Sequence, residues 1–114
     1  MEKISKDNAR HYVWGEMCDG WHLVDRPELS VILEVIPPGR GERTHFHTRA
    51  MQFFYVIEGV ATMHSQTEAI SLNAGEGLRV DAGEVHRIEN RGDNPVRFLV
   101  ISQPHAHGDR TNVE

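Results

Sequence analysis

Residues 45–52 read HFHTRAMQ: two histidines two apart, then a glutamine five residues after the second. Side chains two apart on a β-strand share a face. His45 and His47 therefore project together, and Arg43 joins them. If that face is an interior, two imidazoles converge on one point. Imidazole nitrogen suits Zn, Cu, Fe and Ni, and a mixed nitrogen and oxygen set also tolerates Mn. Gln52 stands where many metal sites of this shape carry a glutamate. Phe54 and Val56 follow on its face and would give a pocket an apolar, substrate-facing wall. Arg43 could grip a substrate carboxylate with two parallel hydrogen bonds, and an arginine at the solvent rim fits it equally. Much later, His86 opens another strand after a tight turn at Gly83.

Those side chains need strands to hold them. Alternating or short apolar runs predict strands at 12–17, 21–24, 29–36, 43–47, 51–58, 60–65, 68–72, 77–81, 86–90 and 96–102. Gly, Pro and Asn breaks separate them, such as PPGRG at 37–41 and NRGDNP at 90–95. Many short strands with regular turn signals predict an all-β sandwich or barrel. The first ten residues have room for one helical turn at most. Residues 103–114 lose the pattern and are expected to lie over the surface or fray. His105 and His107 there repeat the His-x-His form, without a strand to hold them.

The bulk numbers narrow the function. A chain of 114 residues predicts one domain, spanning 1–114. Its net charge of −5 argues against nucleic acid or an anionic membrane as partner, since both reward clustered Lys and Arg. No apolar run approaches the ~20 residues of a membrane span, and the first residues, MEKISKDNARHY, carry no signal-like apolar core. With Cys18 as the sole cysteine, an internal disulfide is excluded. A cytoplasmic location is the expectation.

The glycines and histidines together resemble the two motifs of the cupin family. The first motif reads G-x5-H-x-H-x3,4-E-x6-G; Gly39, His45, His47, Gln52 and Gly59 follow its spacing, with Gln in place of Glu. The second reads G-x5-P-x-G-x2-H-x3-N; Gly75, Asp81, Gly83, His86 and Asn90 follow it, with Asp in place of Pro. The resemblance implies a small antiparallel double-sheet β-barrel of the jelly-roll type, with motif 1 at about 39–59 and motif 2 at about 75–90. It implies one divalent transition metal (Ni, Mn, Fe, Zn or Cu) held by His45, His47, Gln52 and His86. It also implies a small-molecule ligand and a homodimer.

A carboxamide in place of a carboxylate raises the charge of such a site by one. The expectation is looser metal retention, a stronger Lewis acid, and a base found elsewhere. A metal-free barrel with Gln52 as an ordinary hydrogen-bonding residue is the competing reading. The leading functional expectation is a metal-dependent enzyme on a small polar organic molecule: a lyase or isomerase on a sugar or sugar acid, or a dioxygenase. A non-catalytic binder of a sugar or small acid, or a metal-free interaction module, are the alternatives. Late-strand VRFLVIS carries no carboxylate to act as base. Glu34 is read as pairing with Arg43 or Arg97, and Cys18 as a buried thiol.

Overall fold

Apolar residues alternate along the longest strands and set which face turns inward. The computed structural model describes residues 1–113. A six-stranded antiparallel sheet runs in the order β1 (Arg10–Trp14), β2 (Cys18–Arg26), β3 (Leu29–Ile36), β10 (Val96–Gln103), β5 (Met51–Glu58), β8 (Gly77–Val80). Facing it are a three-stranded sheet, β7 (Ala69–Asn73), β6 (Val60–His64), β9 (Arg87–Glu89), and a pair, β11 (Arg110–Asn112) with β4 (His45–His47). Isolated bridges Gly41↔Glu89 and His45↔His86 join these into one second layer. Sheet on sheet is the expected double-sheet barrel, and no α-helix occurs among the described residues. The N-terminus holds one turn, closed by the Ala9 N–H donating to the Ser5 carbonyl at 2.9 Å.

The inner face of the large sheet is graded along its strands. One row of register partners reads Ser30–Ser102–Gln52–Val80, the next Ile32–Val100–Phe54–Leu78, the next Glu34–Phe98–Val56. Beyond them Val96 pairs with Ile36. Cys18, Ile36, Val56, Val96 and Phe98 are fully buried and pack with Ala61, Met63, Leu72 and Ile88 from the opposite layer. One end of the barrel is thus filled with hydrocarbon. The other is lined with polar groups around a cavity.

Several predicted boundaries move, each for a local reason. Strands 29–36 and 51–58 stand as read. The expected strand 12–17 instead ends at Trp14, because Gly15 (φ 53°) and Met17 (φ 62°) take the left-handed conformation and turn the chain into β2. The tail does not fray: residues 110–112 pair antiparallel with 45–47. Three strand residues without apolar alternation leave no sequence signal, because their hold is backbone hydrogen bonding.

The motif glycines and asparagine have structural work of their own. Gly83 has φ 87°, and its N–H donates to the His47 carbonyl at 2.7 Å, tying the turn before His86 to β4. Asn90, 1% exposed, donates through Nδ2 to the Ile36 carbonyl at 2.9 Å and the Asn94 carbonyl at 2.7 Å, and its Oδ1 accepts from the Gly92 N–H at 2.9 Å. It clasps both sheets and the 90–95 turn. Asn90→Ala would orphan those buried groups and is expected to lower stability by about 2–3 kcal/mol in urea unfolding; a loss within a few tenths of a kcal/mol would show that the clasp is dispensable.

Candidate metal centre

His45 and His86 face each other across the junction of β4 and β9. Their backbones exchange two hydrogen bonds, His45 N–H to the His86 carbonyl at 3.0 Å and the reverse at 2.9 Å. Alternation brings His47 to the same side. Ring centroids lie 5.0 Å apart for His45–His47, 4.4 Å for His45–His86 and 5.8 Å for His47–His86. One ring nitrogen from each falls within 4.8 Å of the others. All three are buried.

Hydrogen bonds fix which nitrogen is available. His45 Nδ1 donates to the Arg43 carbonyl at 2.7 Å, and His86 Nδ1 donates to the Glu84 carbonyl at 2.9 Å. This frees Nε2 as the lone-pair donor on both rings, the usual arrangement behind a metal-binding histidine. Burial pushes His45 down to about 3 and His47 to about 4, and lowers His86 as well. The three rings are therefore neutral near pH 7, the form that binds metal.

Gln52 sits opposite on β5, 7% exposed. Its Nε2 donates to Ser102 Oγ, its register partner on β10, at 3.0 Å. That bond takes the amide nitrogen and leaves Oε1 as the free end. Among the described residues, Gln52 Oε1, His47 Nδ1 and His86 Nε2 are buried with no hydrogen-bond partner. Unpaired buried polar atoms are costly and rare, and a divalent ion at the three-histidine point would satisfy the open Nε2 of His86. The donor set therefore fits the metal that the two motifs imply.

The cavity beside these residues measures about 400 Å³. Trp14, Ile32, Phe54 and Val100 form apolar wall; Tyr12, His22, Glu34, Glu42, His107 and Arg110 supply polar groups. Phe54 lines it. Val56 does not: it is fully buried one row deeper, beside Phe98. Period-2 alternation fixes the face of a residue but not its depth. Arg43 is a second correction. Strand β4 starts only at His45, so alternation does not extend to Arg43, which is exposed and away from the cavity lining. Arg110 of β11 reaches the cavity instead, its Nη1 3.8 Å from Glu42 Oε2.

Glu34 pairs with neither Arg43 nor Arg97. It faces the cavity and accepts a hydrogen bond from the Tyr12 hydroxyl at 2.7 Å, while Arg97 lies 3.9 Å from Glu58. Burial pushes the Glu34 carboxyl up to about 7, against the lowering effect of the Tyr12 bond. Glu42 rises to about 8, through burial and then the charge of Glu34. Glu42 Oε1 accepts from the Ile88 N–H at 3.0 Å, and Oε2 lies 4.0 Å from His45 Nε2. Cys18 is buried away from these groups, and burial raises its thiol to about 11, which leaves it a poor nucleophile.

Asp109, in the tail, organises the loop between His47 and Gln52. Burial works against its charge, but N–H groups of Arg49, Ala50 and Thr48 donate to it at 2.9–3.0 Å and hold it below the usual carboxylate range. Neither Asp109 nor Ser102 could be found by sequence reading, since one lies in a patternless tail and the other is a serine in an apolar strand.

Comparisons with known proteins agree with the fold. A family model described as a cupin domain matches residues 32–102. The chain is 35% identical over 71 residues to the tetracenomycin polyketide synthase protein TcmJ of Streptomyces glaucescens, a stretch covering 62% of this chain and 48% of that protein. It is 30% identical over 66 residues to an oxalate-binding protein of Thermotoga maritima, covering 58% and 54%. It thus spans about half the length of these curated relatives. Among solved structures, the polyketide cyclase RemF from Streptomyces resistomycificus superposes with a TM-score of 0.87 at 18% identity, covering 100% of this chain and 86% of that one.

The raised Glu34 carboxyl has a consequence for stability. The folded state keeps a proton that the unfolded chain releases between about pH 4.5 and 7, so this group's contribution is present below that window and fades as pH rises through it. Glu34→Gln keeps an acceptor for Tyr12 and removes the titration. In chelator-treated protein, the melting temperature of the variant relative to wild type should rise from about pH 5 to about pH 8. The histidines are common to both proteins, and losing the Glu34 charge also relieves Glu42, which adds to the rise in the same direction. A flat difference would mean that Glu34 titrates normally.

Proposed function

This chain belongs to the cupin family, and from that premise we propose that it is a metal-dependent enzyme that moves a proton on a small, oxygen-rich carbonyl compound, as an isomerase, lyase or cyclase does. The observation that carries this reading is the meeting, in one cavity, of orphaned neutral donors with carboxyl groups that burial tunes toward neutral pH. His45, His47, Gln52 and His86 would hold the ion. A divalent ion there would polarise a substrate carbonyl or hydroxyl. Because all four donors are neutral, they cancel none of the ion's charge, and retention is correspondingly loose.

The chain's own groups supply the rest. Glu34, oriented by the Tyr12 hydroxyl, serves as the proton acceptor and donor, since a carboxyl tuned near the working pH can do both. Arg110 at the cavity edge offers a cation to an anionic or enolate oxygen. Trp14, Ile32, Phe54 and Val100 shield the reacting atoms from bulk water. The names of the relatives, one for polyketide synthesis and one for oxalate binding, both concern densely oxygenated small molecules. The oxalate-binding relative and Arg110 also favour a second reading, a non-catalytic small-acid binder. The free edge of β1, where Val13 and Met17 are 65% and 72% exposed, supports pairing of two copies along that strand; light scattering should then give twice the chain mass.

Solvent deuterium exchange into a panel of keto acids and 1,3-dicarbonyls, followed by proton NMR, tests the chemistry. Wild type with Zn, Ni, Mn or Fe should catalyse exchange in at least one compound. Glu34→Gln should slow it by about 10²–10⁴-fold, and His86→Ala should lose the ion at the buried trio and the exchange while keeping the fold. Ligand-induced stabilisation with no exchange would favour the binder. Gln52→Glu should tighten metal binding by roughly tenfold or more, because a full charge beside a divalent ion is worth more than about 1.4 kcal/mol; unchanged affinity would remove Gln52 from the ligand set.

A further inference from the structure

At the cavity mouth, three side chains that the buried trio does not use lie together. One ring nitrogen each of His22 and His107, and one Asp25 carboxylate oxygen, fall within 4.8 Å of one another. His22 is on the inner face of β2 and only 9% exposed, and its Nδ1 is buried with no hydrogen-bond partner among the described residues. His107 comes from the segment between β10 and β11, its ring centroid 5.5 Å from that of His22 and its Nε2 3.9 Å from Asp25 Oδ1. Sequence distance is closed here by the tail folding back, with the His105 N–H donating to the Pro27 carbonyl at 3.1 Å.

A buried imidazole nitrogen without a partner is costly. Here it stands beside a second imidazole and a carboxylate, the mixed donor set that first-row transition ions prefer. The two Asp25 oxygens are divided: Oδ2 accepts from Arg10 Nη2 at 2.7 Å, and Oδ1 faces His107. A carboxylate held from behind in this way is oriented like a metal ligand with an outer-shell partner. The Arg10 charge opposes a cation, but its guanidinium is 65% exposed and well solvated.

We propose that His22, Asp25 and His107 form a second divalent transition-metal site at the cavity mouth, separate from the buried trio. Occupancy ties the tail to β2. That tail carries Asp109, which organises the loop before Gln52, and Arg110, which edges the cavity. His22 also packs on Tyr12, centroid to centroid 4.9 Å, and Tyr12 holds Glu34. A bound ion at the mouth therefore steadies the groups that line the cavity.

Calorimetric titration of the chelator-stripped full chain with zinc tests this. Wild type should take up two equivalents. His107→Ala and Asp25→Asn, both at exposed positions, should each take up one. His86→Ala should also take up one, and the His86→Ala/His107→Ala double variant none. The proposal is overturned if His107→Ala and Asp25→Asn bind zinc as wild type does, or if wild type takes a single equivalent that His86→Ala abolishes. Failure of the buried site looks different: His86→Ala would then match wild type while His107→Ala loses zinc.

Discussion

Two backbone hydrogen bonds between His45 and His86, at 3.0 and 2.9 Å, hold the two halves of the site together. They fix the register of residues 39–47 against 83–90. The Gly83 N–H to His47, the Gly39 N–H to Asn90 and the Asn90 N–H to Arg40 continue the same ladder. Because side chains alternate, a slip of one residue would turn an imidazole to the wrong face. The three-histidine point is thus a product of strand register. The motif glycines serve it by letting the chain turn where a side chain would be strained.

On that frame the barrel separates two jobs along its length. Hydrocarbon rows at one end provide the cohesion, with Phe98, Ile36 and Val56 fully buried. Polar rows at the other end forgo it. His45, His47, His86 and Gln52 are buried with several donor atoms unpaired, and Glu34 and Glu42 face the same cavity as acids raised by burial. A sequence selected for stability alone would fill that end with apolar side chains. Local rules broken together in one cavity mark where function overrides stability.

The proposed proton acceptor is also a matter of placement. No carboxylate stands on the late strand. Glu34 lies on β3, two strands from Gln52, on the inner face with Ser30 and Ile32. In a barrel the walls of a cavity come from many strands.

The sequence alone determined the strand-rich architecture, the longest strands at 29–36 and 51–58, the turns at Gly59 and Gly83, and the three histidines with Gln52. These are local matters: alternation, left-handed turns and fixed spacings are written in neighbouring residues. Tertiary structure alone decided the depth of Val56, the exclusion of Arg43, the placing of Tyr12, Glu34 and Glu42 in one cavity, and the return of the tail that brings His107, Asp109 and Arg110 to it. Those depend on how far the sheet extends before its core closes and on backbone pairing between segments about sixty residues apart, such as Arg110 with His47. Backbone hydrogen bonds are nearly blind to side-chain identity, so the sequence carries little trace of them.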